Sequence, residues 1–209
     1  MDRNLIPPAV TFRQRLRQIG QWIAARIGDT GHERRVMRIA VALFDRTMSF
    51  SGLDRHDRRL LKLAAMLHDV GRCRGPEDHH IRGQQMILGS RTLPLTRRER
   101  LIVAFLTRFH RGDVPDSGDY IALGEDADRA RTLLALLRAA DTLDSRKVHV
   151  RAIAIRLRGR RLCVRCHIHK GWKRARRAFR RRRKFALLRK VLGLRTRVAL
   201  HRIGTPVNA

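Results

Sequence analysis

Residues 60–80, LLKLAAMLHDVGRCRGPEDHH, constrain this chain more than any other stretch. They open with Leu60, Leu61, Leu63, Ala64, Ala65, Met66 and Leu67, a helix apolar on every side, and such a helix is a buried one. His68 and Asp69 follow side by side, and Val70-Gly71 is expected to close the helix, because glycine accepts the left-handed backbone that ends helices. Ionisable groups at the end of a buried helix are costly unless they pair or bind a metal. Taken alone, the pair reads equally well as a histidine bonded to its neighbour as a helix cap. The rest of the chain favours convergence: His32 stands upstream, His79, His80 and His110 downstream, and Asp141 near the end of a later helix.

Around that stretch the charge is distributed unevenly. The formal net charge is +30, yet all 18 acidic residues precede residue 145, where 25 Lys and Arg accompany them. Residues 145–209 hold 23 Lys and Arg and no Asp or Glu. That imbalance predicts a polyanionic partner: nucleic acid, polyphosphate or an anionic membrane surface. Aromatics are only 5% of the chain, which argues weakly against a surface that reads single-stranded bases by stacking. A length of 209 residues suits one domain with a small appendage, and 43% hydrophobic residues exclude a disordered chain. No apolar run reaches the roughly 18 residues of a membrane span, and the N-terminus lacks the apolar centre of a secretory signal. Residues 11–28 are basic and amphipathic, as transit peptides are, but their apolar stripe is expected to be a packing face. Three cysteines make no disulfide framework, which predicts a reducing, cytoplasmic setting.

Periodicity divides the chain into three parts. Residues 1–28 carry an N-terminal amphipathic helix with Phe12, Leu16, Ile19, Ile23 and Ile27 in one stripe. Residues 29–145 form a helical domain. In it Thr30 and Glu33 have capping-box spacing ahead of Val36, Ile39, Leu43 and Phe44, and Thr96 and Glu99 repeat the signature. Asp54 is the expected N-cap of the central helix, a short helix covers 79–88, and the Gly- and Pro-containing segment 112–124 reads as a surface loop. The last helix runs from about 126 to 141. Residues 146–209 form a strongly basic ββαβ-like subdomain. Alternating segments 148–157 and 162–168 make a hairpin across Gly159, a helix covers 173–192, and a short strand lies at 197–200. The expected fold is mainly α, a helical bundle with a small C-terminal α+β appendage of β-hairpin, basic helix and short strand.

Helix ends in a bundle can converge, and here they carry His32, His68, Asp69, His80, His110 and Asp141. Imidazoles and carboxylates together suit an octahedral divalent ion such as Mn, Mg or Fe better than a closed structural zinc site. An ion with open positions acidifies water for attack on phosphorus. Arg72, Arg82 and Arg111 stand near these residues in sequence and suit phosphate oxygens.

The order His32, His68-Asp69, Asp141 resembles the H…HD…D pattern of the HD superfamily of metal-dependent phosphohydrolases. More closely, AAMLHDVG, HHIRGQQMI, LTRRERLIVAFLTRFHRG and LLRAADTLDSRK resemble the C-terminal HD-type region of the exopolyphosphatase/guanosine pentaphosphate phosphohydrolase (Ppx/GppA) family, over about residues 25–200. The resemblance implies an HD-type bundle with His32, His68, Asp69 and Asp141 on a divalent metal (Mn, Mg, Fe or Zn), and His110 and His80 as secondary ligands or general acid. Arg82 stands where many relatives carry a further histidine. The resemblance does not extend to the actin-like N-terminal domains that carry the family's phosphatase chemistry, so that chemistry does not simply carry over with it. Two readings follow: an HD-type hydrolase of a phosphoester or phosphoanhydride, such as polyphosphate, (p)ppGpp or another phosphorylated small molecule, or a non-catalytic module that binds polyphosphate or RNA through residues 145–209. In the second reading Arg174, Arg176, Arg177, Arg180, Arg181, Arg182 and Arg183 are the expected polyanion contacts. Cys163, Cys166 and His167 spell C-x-x-C-H, but strand alternation puts the two cysteines on opposite faces, which argues against haem or zinc there.

Overall fold

Helix α1 (Phe12–Ile27) opens on a capping box, with the Thr11 hydroxyl accepting from the Gln14 amide and the Gln14 side chain accepting from that of Thr11. The computed structural model, which describes residues 10–144, 149–180 and 185–203, continues with α2 (Gly31–Ser51) and α3 (Arg55–Leu67). After α3 come a 3-10 turn (Val70–Arg74), α4 (His79–Gly89), α5 (Arg97–Phe109), a second 3-10 segment (Gly118–Asp126) and α6 (Ala127–Leu143). Helix α3 is the axis of the bundle. Leu60, Leu61, Leu63, Ala64 and Leu67 are fully buried, and α1, α2, α5 and α6 all pack against it. Ile19 and Ile23 bury the stripe of α1 in the same core, so that stripe is a packing face.

The caps came out unequally. Asp54 and Thr96 close capping boxes with Asp57 and Glu99, as the spacing predicts for Thr96. The box expected at Thr30 does not form. Thr30 sits at φ −103°, ψ 17° with no side-chain cap bond, its hydroxyl accepts from Arg34 Nε, and Asp29 takes the Gly31 amide instead. Glu33 turns into the buried interior beside His32, and that burial outcompetes the cap.

The C-terminal part is a three-stranded sheet in the order β1 (His149–Arg158), β2 (Arg161–Lys170), β3 (Arg195–Arg202). β1 and β2 form the expected antiparallel hairpin, whereas β3 runs parallel to β2. Between them lie α7 (Trp172–Arg180) and α8 (Ala186–Leu192), where a single helix over 173–192 was expected; residues 181–184 fall outside the described ones. β3 is longer than the expected four residues because it pairs with β2 from Arg161 to Ile168. One sheet face is buried through Leu162, Val164, Cys166 and Ile168, with α8 against α6 and β1 against α2. The sheet therefore shares the hydrophobic core of the bundle. Among the described residues no helix is long and apolar enough to cross a membrane.

Candidate metal centre

Four imidazoles reach one buried pocket, and three are oriented in the same way. His68 Nδ1 donates to the Ala65 carbonyl at 2.8 Å, His79 Nδ1 to Pro76 at 2.7 Å and His110 Nδ1 to Thr107 at 2.7 Å. The fourth, His32, bonds the Asp144 carboxylate through Nδ1 at 2.8 Å. A carbonyl accepts only, so these bonds place the proton on Nδ1 and leave Nε2 as the atom turned towards the pocket. All four Nε2 atoms face carboxylates. His32 Nε2 lies 3.4 Å from Asp141 and 3.8 Å from Asp69, and His68 Nε2 lies 3.8 Å and 3.9 Å from the same two residues. His79 and His110 reach Asp69 Oδ1 at 3.0 and 3.5 Å.

Nitrogen lone pairs directed at carboxylates repel unless a cation lies between them. His68 Nε2 is buried and has no hydrogen-bond partner, as an unfilled ligand atom would be. Two of the donor groupings are His32, His68 and Asp141, and His68, Asp69 and His110, with the ligand atoms of each within 4.8 Å of one another. The residues thus fit a divalent cation in donor type, in tautomer and in spacing. Without an ion, protons supply the positive charge. Burial opposes charging His68, yet Asp69 and Asp141 raise its pKa. Burial likewise pushes the Asp69 carboxyl up, but His68, His110 and His79 hold it well below the usual carboxylate range. His110 is shifted down, chiefly by burial.

Behind the pocket, Asp144 ties His32 to Arg35, whose Nε donates to Asp144 Oδ1 at 2.9 Å. Burial raises the Asp144 carboxyl, and the bonds from His32 and Arg35 outweigh it and lower its pKa. Such outer partners fix the ring orientation of a ligating histidine.

Close backbone approach delivers His79. Gly71 lacks the positive φ expected of a helix-closing glycine. Its role is steric: a Cβ there would lie 2.0 Å from the His79 carbonyl oxygen and 2.6 Å from the Gly83 nitrogen. The 3-10 turn thereby touches the first turn of α4. Asp78, the cap of α4, takes the left-handed conformation (φ 42°), which Asp tolerates better than most residues.

The structure brings His32, His68, Asp69, Asp141 and His110 together. His80, expected beside His110, is displaced by its neighbour: His79 points in, while the partly exposed His80 ring lies 6.5 Å from that of His110. Burial, Arg108 and His110 push His80 down to about 4, so it is neutral near pH 7 and a poor proton donor there. Arg72 sits at the pocket, with Nε 3.7 Å from Asp69. Arg82 instead donates to the Gly75 and Glu77 carbonyls and holds the loop before α4. Arg111 is exposed on the loop after α5. Sequence reasoning missed Asp144, although it follows Asp141 by three residues, a spacing that shares a helix face. It also passed over Glu33, which with His32 and Asp69 forms a third donor grouping.

In the basic part, Arg174, Arg176 and Arg177 are exposed on α7 and Arg180 ends that helix, while Arg181, Arg182 and Arg183 lie outside the described residues. Cys166 is buried and Cys163 is on the other sheet face; burial raises the Cys166 thiol to about 12.

Residues 24–178 match the family model described as Ppx/GppA phosphatase, domain III. No curated protein matches the chain.

Proposed function

Because the chain belongs to the Ppx/GppA phosphatase domain III family, we propose that its pocket is an HD-type divalent-metal centre hydrolysing a phosphoester or phosphoanhydride, such as polyphosphate or (p)ppGpp. The observation that carries this reading is the set of four imidazoles whose Nε2 atoms surround Asp69 and Asp141. His32, His68, Asp69 and Asp141 are the ligands of the ion. His79 and His110 face the Oδ1 side of Asp69 and serve as secondary donors. A divalent ion there supplies an acidified water and charge to offset phosphate oxygens. Arg72, about a third exposed at the pocket, holds a substrate phosphate. Asp144 and Arg35 keep His32 oriented. Three free cysteines accord with a reducing cytoplasm.

The test is purified protein loaded with Mn²⁺, assayed on polyphosphate, (p)ppGpp, nucleotides and cyclic nucleotides. Hydrolysis of at least one, lost in His68→Ala and under chelation, is the expected result. A silent panel with metal demonstrably bound favours the second reading, a polyanion-binding module. That reading has its own observation: 23 Lys and Arg without one acid over residues 145–209.

A further inference from the structure

The second sheet face is open, and its composition is unusual. Register places Arg158, Arg161 and Arg195 side by side across the three strands, then Arg156, Cys163 and Arg197, then Ala154, Arg165 and Ala199, then Ala152, His167 and His201. All six arginines are exposed. Like charges directly opposite one another destabilise a sheet, and the first row keeps three in register. With no acid after Asp144, nothing in this part of the chain offsets them.

We propose that this open face binds single-stranded nucleic acid. The proposal deepens the polyanion reading by naming the surface and the ligand class, and it does not depend on the metal pocket. Every cation in the rows is arginine, whose planar fork suits phosphodiester oxygens in bidentate fashion. Same-face residues along a strand are about 6.7 Å apart and strands about 4.8 Å apart. That lattice is coarser than the charge on every phosphorus of inorganic polyphosphate, and it leaves room for a sugar and base between contacts. The floor between the arginines is flat, made of Ala152, Ala154 and Ala199, so a duplex finds no protruding element for its grooves.

Flat ring surfaces lie at one end of the face. His167 and His201 stack there, with centroids 5.4 Å apart and planes at 26°. A ring pair beside arginines offers a base a surface to stack on, and polyphosphate has no use for one.

The test uses the full chain and a fluorescent oligouridylate of about twelve nucleotides, within the usual footprint of single-strand binders. With five or six phosphates engaged, log K should fall against log salt with a slope of roughly −3.5 to −4, from about −0.7 per contact on a single strand. Arg156→Gln/Arg165→Gln/Arg197→Gln should flatten the slope by about 2. His201→Ala should weaken oligouridylate and leave polyphosphate unaffected. Crosslinking of 4-thiouridine oligonucleotide to the wild-type chain should map to β1, β2 and β3, which keeps the proposal testable if a variant does not fold. Crosslinks confined to α7, a preference for duplex, or competition by anionic vesicles or polyphosphate at equal charge with no effect of His201→Ala would each overturn it and leave the polyanion reading standing. Failure of the wild type to bind any polyanion would overturn both, and neither result touches metal binding or hydrolysis.

Discussion

The pocket and the open sheet face concentrate charge in opposite ways. In the pocket, four imidazoles surround two carboxylates, and a third carboxylate, Asp144, is paired with His32 and Arg35. Each carboxylate has an imidazole nitrogen or a guanidinium within 4 Å, and most of these groups are buried. On the sheet, six arginines share a solvent-facing surface with only alanine, cysteine and histidine between them. The first arrangement is held together by its charges, whereas the second is pushed apart by them. Removing a charge should therefore destabilise one region and stabilise the other.

The largest effect is expected at Asp69. Asp69→Ala removes the carboxylate that faces His32, His68, His79 and His110. Metal analysis should show loss of most of the bound ion, and the apoprotein should lose about 3–5 kcal/mol, as broken buried pairs do. Equal metal content in wild type and variant would end the metal reading. Next comes Gly71→Ala, which alters no charge. Its methyl meets a backbone oxygen rather than a flexible side chain, so a cost near 3 kcal/mol is expected by thermal or denaturant unfolding. His79 should then be the ligand whose resonances shift most, since the added carbon presses on its carbonyl.

How much of this was readable beforehand differs by residue. His32, His68, Asp69 and Asp141 were legible because an ionisable group at the end of an apolar helix must find a partner. The choice between His79 and His80 was not. Adjacent histidines in a first helical turn point about 100° apart, and the contact of Gly71 with α4 decides which points inward. Glu33 misled because its spacing from Thr30 fits a capping box, while tertiary burial claimed the side chain. The open arginine face was hidden for a different reason. Strand alternation places Arg156, Arg158, Arg161 and Arg165 on one face, but the third strand joins it only through the parallel β2–β3 pairing, a long-range contact that local pattern does not encode.

A smaller effect is expected from Asp144→Asn, which keeps the shape and removes the charge behind His32. Metal affinity should fall by about tenfold, the low end for outer-shell partners. The pH dependence carries a defined sign. Burial raises the Asp144 carboxyl, but His32 and Arg35 hold its folded pKa below the unfolded value of about 3.9. Its contribution to stability is thus present above that value and is lost as pH falls through the depressed one. Between pH 5 and about 2, apoprotein carrying Asp144→Asn should lose less stability than wild type. Parallel curves would show that the Asp144 pairing carries no net free energy.

The smallest effect has the opposite sign. Arg161 lies between Arg158 and Arg195, in register with both, and all three are exposed. Arg161→Gln removes the central charge of the row and keeps most of the side-chain length. Cross-strand pairs of this kind are worth tenths of a kcal/mol, so Tm should rise by about 1–2 °C in low salt. At about 1 M salt, where the screening length falls to about 3 Å, the gain should vanish. Saturating oligouridylate should reverse the order, because the wild type then uses the guanidinium on a phosphate and the variant cannot. A Tm that falls in low salt without ligand would mean that Arg161 stabilises the sheet through its alkyl chain. The row would then be ordinary packing, and the contrast with the pocket would lose its sheet-side half.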